Sequence, residues 1–131
     1  MSEAEITSAR SPRVVQVRQL HERRHRAKRG AFCVEGPQAV EAAVGHGMRE
    51  LFATPSAHAR FAGLVAEARK SGARVTVVSD QVLDAMAETR TPQGVVAICD
   101  LPSASLADAL AAGKQSGRPM LVLVLDRIGD P

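Results

Sequence analysis

Between His21 and Arg29 the chain reads His-Glu-Arg-Arg-His-Arg-Ala-Lys-Arg, with arginine or lysine at five of nine positions, one acid and no apolar side chain larger than alanine. Arginine dominates. Its planar fork donates two parallel hydrogen bonds to phosphate and stacks on bases, whereas lysine is a hydrated point charge. The stretch therefore reads as a phosphate-binding patch. The plainer alternative is a solvated helix end, because the macrodipole favours cations at a helix carboxyl terminus. Like charges this dense repel one another and exceed what capping requires, which favours nucleic acid as the partner. In the first thirty residues eight basic groups oppose only Glu3, Glu5 and Glu22. The rest of the chain has nine basic against eleven acidic groups, so the net charge of +3 belongs to one segment.

Other chemistries find less support. His21 and His25 stand at i and i+4 but lack a third metal ligand and sit among cations, which suits RNA contact or solvent better than a metal. Cys33 and Cys99 are far apart, with no Cys-x-x-Cys spacing, and read as inert core thiols. Neither Gly-x-Gly-x-x-Gly nor a P-loop occurs, and no Ser/His/Asp or Cys/His arrangement can be read from spacing. No catalytic, cofactor-binding or metal-binding residue is therefore expected in this chain. With three Phe and no Trp or Tyr, and with Phe52 and Phe61 expected in the core, an RNA would be recognised through phosphates, 2′-hydroxyls and shape, not on an aromatic platform.

The elements that must position the basic stretch alternate between helix and strand. Ser11-Pro12 opens a helix carrying Val14, Val17 and Leu20, which continues as the basic stretch and stops at Gly30. Strands are expected at 31–35, 51–53, 74–78 and 95–99. Helices are expected from Gly36-Pro37 through Val44, from about Ala57 to Ser71 with Phe61, Leu64, Val65 and Ala68 inward, and after Ser79-Asp80 with Leu83, Met86 and Ala87 inward. This alternation predicts a three-layer helix/sheet/helix α/β domain over residues 10–100, after a flexible amino terminus at 1–9. Residues 101–119 read as a linker with a short helix, Leu106 to Ala112. Met120 to Leu125 reads as a strand buried on both faces, followed by Asp/Gly/Pro loop chemistry to Pro131. The chain looks interrupted there. No apolar run reaches the roughly 18 residues of a membrane span and the amino terminus has no signal-peptide pattern, so the expected compartment is the cytoplasm, without a membrane partner.

Several segments together resemble the SpoU/TrmH class of RNA ribose 2′-O-methyltransferases. Ser11-Pro12-Arg13 with Val14, Val17 and Leu20 is similar to the family's first substrate-domain helix, and Arg26 to Arg29 falls at its basic turn. Phe32-Cys33-Val34-Glu35-Gly36 and Thr91-Pro92-Gln93-Gly94-Val95-Val96-Ala97 resemble two further family segments. Leu125-Asp126 through Asp130-Pro131 resembles the lead-in to its methyl-donor domain. The resemblance implies a ribosomal-protein-like RNA-binding domain, then one strand and loop (120–131) of an incomplete knotted α/β domain of the SPOUT type. That catalytic domain uses S-adenosylmethionine and forms the parent's homodimer.

By the same resemblance, Arg26, Lys28 and Arg29 hold phosphates of a structured rRNA or tRNA, with Arg18 and Arg23 as weaker additions. Glu35, Gly36, Gln93 and Gly94 are motif positions serving either turns or RNA contact. The family's Gly-Asn-x-Gly stretch, its assisting Arg and its knot loops have no counterpart here, so S-adenosylmethionine is expected to bind the parent and not this chain, which alone is expected to be inactive. A stand-alone RNA-binding adaptor and a generic α/β interaction domain are the rival readings.

Overall fold

The computed structural model describes residues 5–125. The chain divides into two compact units, Met1–Leu101 and Pro102–Pro131. In the first, the elements run β1 (Glu5–Ile6), α1 (Pro12–Gln19), α2 (Arg23–Arg29), β2 (Ala31–Glu35), α3 (Pro37–Ala43), β3 (Met48–Ala53), α4 (Pro55–Arg60), α5 (Ala62–Lys70), β4 (Arg74–Val78), α6 (Asp80–Met86) and β5 (Val95–Asp100). The five strands form one mixed sheet in the order β1-β4-β3-β5-β2, with β1, β4 and β3 parallel and β5 antiparallel to both β3 and β2.

The central strands are apolar on both faces because helices cover both. Leu51, Ala53, Val75, Val95, Ala97 and Cys99 pack with Val40, Ala57, Val65 and Ala68 of α3, α4 and α5. The alternate residues Phe52, Val78, Val96 and Ile98 pack with Val14, Val17, Leu83 and Met86 of α1 and α6. The period-two alternation of strand side chains thus feeds two cores from one sheet. Among the described residues no helix is long and apolar enough to cross a membrane.

Several expectations are corrected. The helix expected from Pro12 through Arg29 is two helices, because Leu20, His21 and Glu22 bond three residues back, to Val17, Arg18 and Gln19, and so turn the chain. The helix expected near 57–71 starts earlier, where the Thr54 hydroxyl accepts from the Ala57 N–H, and breaks at Phe61 (φ −107°, ψ 38°), which is only half-buried. Glu5–Ile6, within the segment expected to be flexible, pairs with Val77 and Val78. Residues 1–4 lie outside the described residues.

In the second unit α7 (Leu106–Gln115) is opened by a capping box between Ser105 and Asp108. The strand expected at 120–125 is not formed: these residues join no strand among the described residues, and Leu121, Leu123 and Val124 stand exposed. A strand needs a neighbour to take its backbone donors and acceptors, and none pairs with it. The loop expected at 126–131 lies outside the described residues.

Two glycines fix the end of the sheet where β2 stops and β5 starts. Gly36 (φ +88°) precedes α3, and Gly94 (φ +87°) leads into β5. A Cβ on Gly94 would stand 2.6 Å from the Ala57 Cβ and 2.9 Å from the Thr54 hydroxyl oxygen, whereas one on Gly36 meets nothing within 4 Å. Gly94→Ala is expected to destabilise by about 2–4 kcal/mol, from backbone strain plus overpacking, and Gly36→Ala by about 1–3 kcal/mol from strain alone; urea unfolding of both variants measures the order. Burial and the Glu35 carboxylate push the Cys33 thiol up to about 12, so it stays protonated through neutral pH. Alkylation of the folded chain at pH 7–8 should be far slower at Cys33 than in a free thiol, which peptide mass spectrometry would read.

Candidate nucleic-acid interface

The five cations expected to hold phosphate divide into two groups. Arg26 and Arg29, one turn apart on α2, point back at α1. The Arg26 guanidinium donates to the carbonyls of Leu20 (3.1 Å) and His21 (2.7 Å). That of Arg29 donates to the Gln16 carbonyl (2.7 Å) and to the Gln19 side-chain oxygen. These forks satisfy backbone acceptors at the carboxyl end of α1, where cations are also favoured by the helix dipole. Both guanidiniums are therefore partnered within the chain, and Gly30 closes α2 in the left-handed region (φ +60°).

The side chains of Arg18, Arg23 and Lys28 are exposed and make no hydrogen bond or ion pair among the described residues. Arg24 is also exposed, and pairs with Glu22 at 2.9 Å. The outer face of α2 thus carries Arg23, Arg24 and Lys28 around the small Ala27. A free cation on a rigid element can meet a phosphate without first giving up a protein partner. His21, expected to meet RNA or solvent, is instead half-buried and held within the chain: its Nε2–H donates to the Met86 carbonyl (2.7 Å), and Nδ1 lies 3.4 Å from the Glu88 carboxylate. The turn between α1 and α2 is thereby fastened to the end of α6. His25 sits 3.9 Å from Glu22.

The motif positions converge at one end of the sheet. Glu35 ends β2, and its carboxylate accepts from the Glu88 N–H at 2.8 Å. The Gly36 N–H donates to the Val95 carbonyl (3.2 Å), and the Gly94 carbonyl accepts from the Thr54 N–H (3.0 Å). Gln93 is exposed, and its carbonyl accepts from Arg60 at 3.4 Å. Glu35, Gly36 and Gly94 therefore act here as turn and loop fasteners. Arg13 and Arg49, absent from the expected site, are tied to Glu50 and Asp100. The Arg49–Asp100 pair spans 51 positions, and no local spacing signals it.

Residues 11–97 match the family model described as the MRM3-like substrate binding domain. The chain is 26% identical over 129 residues to the 23S rRNA (guanosine(2553)-2′-O)-methyltransferase RlmP of Bacillus subtilis, covering 97% of this chain and 46% of that protein. It is 32% identical over 130 residues to an uncharacterized tRNA/rRNA methyltransferase of Synechocystis, covering 98% and 45%. The chain thus spans slightly under half the length of these curated relatives. Among solved structures, the AdoMet-bound rRNA methyltransferase from Sinorhizobium meliloti superposes with a TM-score of 0.67 at 25% identity, over 80% of this chain and 39% of that one. A putative TrmH-family RNA methyltransferase from Porphyromonas gingivalis gives 0.55 at 26% identity, over 71% and 36%.

The two groups of cations should separate in stability. Arg26→Ala and Arg29→Ala are each expected to lower unfolding free energy by about 1–2 kcal/mol, as carbonyls lose charged donors. Arg18→Ala and Arg23→Ala should stay within about 0.5 kcal/mol of the parent chain, as exposed sites without partners do. Urea denaturation of the four variants measures the split.

Proposed function

This chain belongs to the family of MRM3-like substrate-binding domains, the amino-terminal substrate-binding domain of SpoU/TrmH-type RNA 2′-O-methyltransferases, and we propose that it is the RNA-gripping part of an S-adenosylmethionine-dependent rRNA or tRNA ribose 2′-O-methyltransferase. We read it as a three-layer, ribosomal-protein-like domain over residues 10–100, a linker over 101–119, and at 120–131 the lead-in to a knotted methyl-donor domain through which the parent dimerises in the cytoplasm. The observation that carries the RNA reading is the set of exposed, unpartnered cations Arg18, Arg23 and Lys28 on α1 and α2, inside the segment that matches the family.

The role of such a domain is to hold the ribose hydroxyl of one nucleotide in line with a methyl donor. Positioning of this kind converts an encounter between two molecules into an internal step. The exposed cations Arg18, Arg23 and Lys28 offer a sulfonium no anionic partner, so we assign S-adenosylmethionine to the methyl-donor domain of the parent. Arg26 and Arg29 contribute by holding the helices in place, and Arg18, Arg23 and Lys28 by meeting phosphates.

The chain with Arg18→Glu, Arg23→Glu and Lys28→Glu should bind a structured RNA fragment roughly tenfold or more weakly at about 0.1 M salt, with the slope of log K against log salt reduced by about 3 on a duplex region. Its unfolding free energy should fall by only about 1–2 kcal/mol, because Glu replaces cations in the last turns of α1 and α2, and the chain should remain folded. Fluorescence anisotropy across a salt series measures the first two. Unchanged affinity would favour the reading as a protein-interaction domain.

A further inference from the structure

We propose that the cleft between α1 and the β3–β5 part of the sheet seats a single unstacked nucleobase of the bound RNA; this rests on the RNA-gripping reading above. The cleft owes its shape to a β-bulge. Met48 pairs with Cys99 and Glu50 with Ile98, which leaves Arg49 as an extra residue in β3. In a regular strand Arg49 and Glu50 would point to opposite faces; with the bulge both line the same cleft. Bulges recur where a strand must re-aim a side chain.

Three arginines from three elements form the walls: Arg13 of α1, Arg29 of α2 and Arg49 of β3. Each guanidinium is anchored along its edge. Arg13 pairs with the Glu50 carboxylate, which also accepts from the Thr76 hydroxyl at 2.8 Å. Arg29 holds the Gln16 carbonyl, and Arg49 holds Asp100 and the Gly30 carbonyl at 3.2 Å. Glu50, 7% exposed, is the one buried acid among the described residues. Arginines fixed in this way have given up much of their rotamer freedom before a ligand arrives. One face of Arg13 lies over the Phe52 ring, 6.0 Å from its centroid; its other face and those of Arg29 and Arg49 are the surfaces on which a base would stack.

The floor is aliphatic, from Val17, Leu20 and Ile98, and the cavity measures about 210 Å³. That is below the roughly 300–1,000 Å³ of sites for drug-sized ligands, and suits one flat ring system. Glu50 and Asp100 already pair with Arg13 and Arg49, so a phosphate finds little uncompensated charge there and gains nothing from the apolar floor, while a lipid chain gains nothing from the guanidinium walls. A heteroaromatic ring uses both, stacking on guanidinium planes while its apolar body leaves water. RNA-binding proteins take splayed-out bases in this way on arginine as well as on aromatic side chains. Of the three Phe, Phe52 lines the cleft but is fully buried beneath Arg13, which leaves arginine as the stacking surface there. Arg29 belongs both to the cleft and to α2, so the seat opens beside the basic helix.

The test uses a short RNA hairpin with one bulged adenosine and the same hairpin with an abasic nucleotide at the bulge, which keeps the phosphates and removes the base. The unmodified chain should bind the first about tenfold tighter. Gln16→Trp, which fills the cleft from its exposed rim, should lose that preference while retaining affinity for the abasic hairpin. Titrating adenosine monophosphate should shift the amide resonances of Ala31 and Ile98 in the unmodified chain and not in Gln16→Trp. Equal affinity for the two hairpins, or monophosphate shifts that persist in Gln16→Trp, would overturn the seat and leave the RNA-gripping reading standing. Failure of the unmodified chain to bind either hairpin would instead overturn that reading and the seat with it.

Discussion

A helix of seven residues such as α2 cannot hold itself together in water, because nucleation is unfavourable and too few bonds follow it. Five of its residues are cations that repel one another, which makes matters worse. What holds α2 is its docking on α1 through the guanidinium forks of Arg26 and Arg29, which take the carbonyls of Leu20, His21 and Gln16. The rest of the interface depends on this contact. It rotates Arg23, Arg24 and Lys28 outward and sets Arg29 in the wall of the cleft beside α1. The His21 ring then fastens the turn between the helices to Met86. A charge-dense stretch thus acquires two roles by its helical period: one flank builds the fold and the other faces solvent.

The sheet supplies the frame for both. β5 lies inside the sheet, between β3 and β2, and is clothed on either face by different helices, so Val95, Ala97 and Cys99 belong to one core and Val96 and Ile98 to the other. At its start, Gly94 allows Thr54 and Ala57 to close in, and Gly36 bonds to Val95, so two family segments distant in sequence meet where β2 ends and β5 begins. Near the other end of β5, opposite Cys99 and Ile98, the bulge in β3 brings Arg49 and Glu50 to the same side. One end of the sheet carries the motif turns and the other carries the arginine cleft.

Much of this frame was legible. The continuous apolar run at 95–99 announced a strand buried on both faces, Gly30 marked the end of the basic helix, and Leu83 and Met86 were rightly placed inward. What escaped was the geometry that depends on distant partners. The break at Leu20–Glu22 arises from three-residue hydrogen bonds that charge and hydropathy do not encode. The two-residue β1 is too short to show a period. Nothing local tells that Arg26 and Arg29 turn inward while Arg23 and Lys28 turn out, because all four are equally polar. The exposed run at 120–125 shows the converse: its pattern reads as a strand, and a strand forms only beside a partner.

In the proposed complex, RNA lies along α1 and α2 and enters the neighbouring cleft. The most direct measurement is hydrogen exchange across the whole chain, with and without a saturating structured RNA. Added protection should concentrate at residues 13–30 and at Arg49–Glu50, with α3, α4 and α5 on the opposite face of the sheet unchanged. Protection confined to α3, α4 and α5, with residues 13–30 exchanging as in the free chain, would contradict the account.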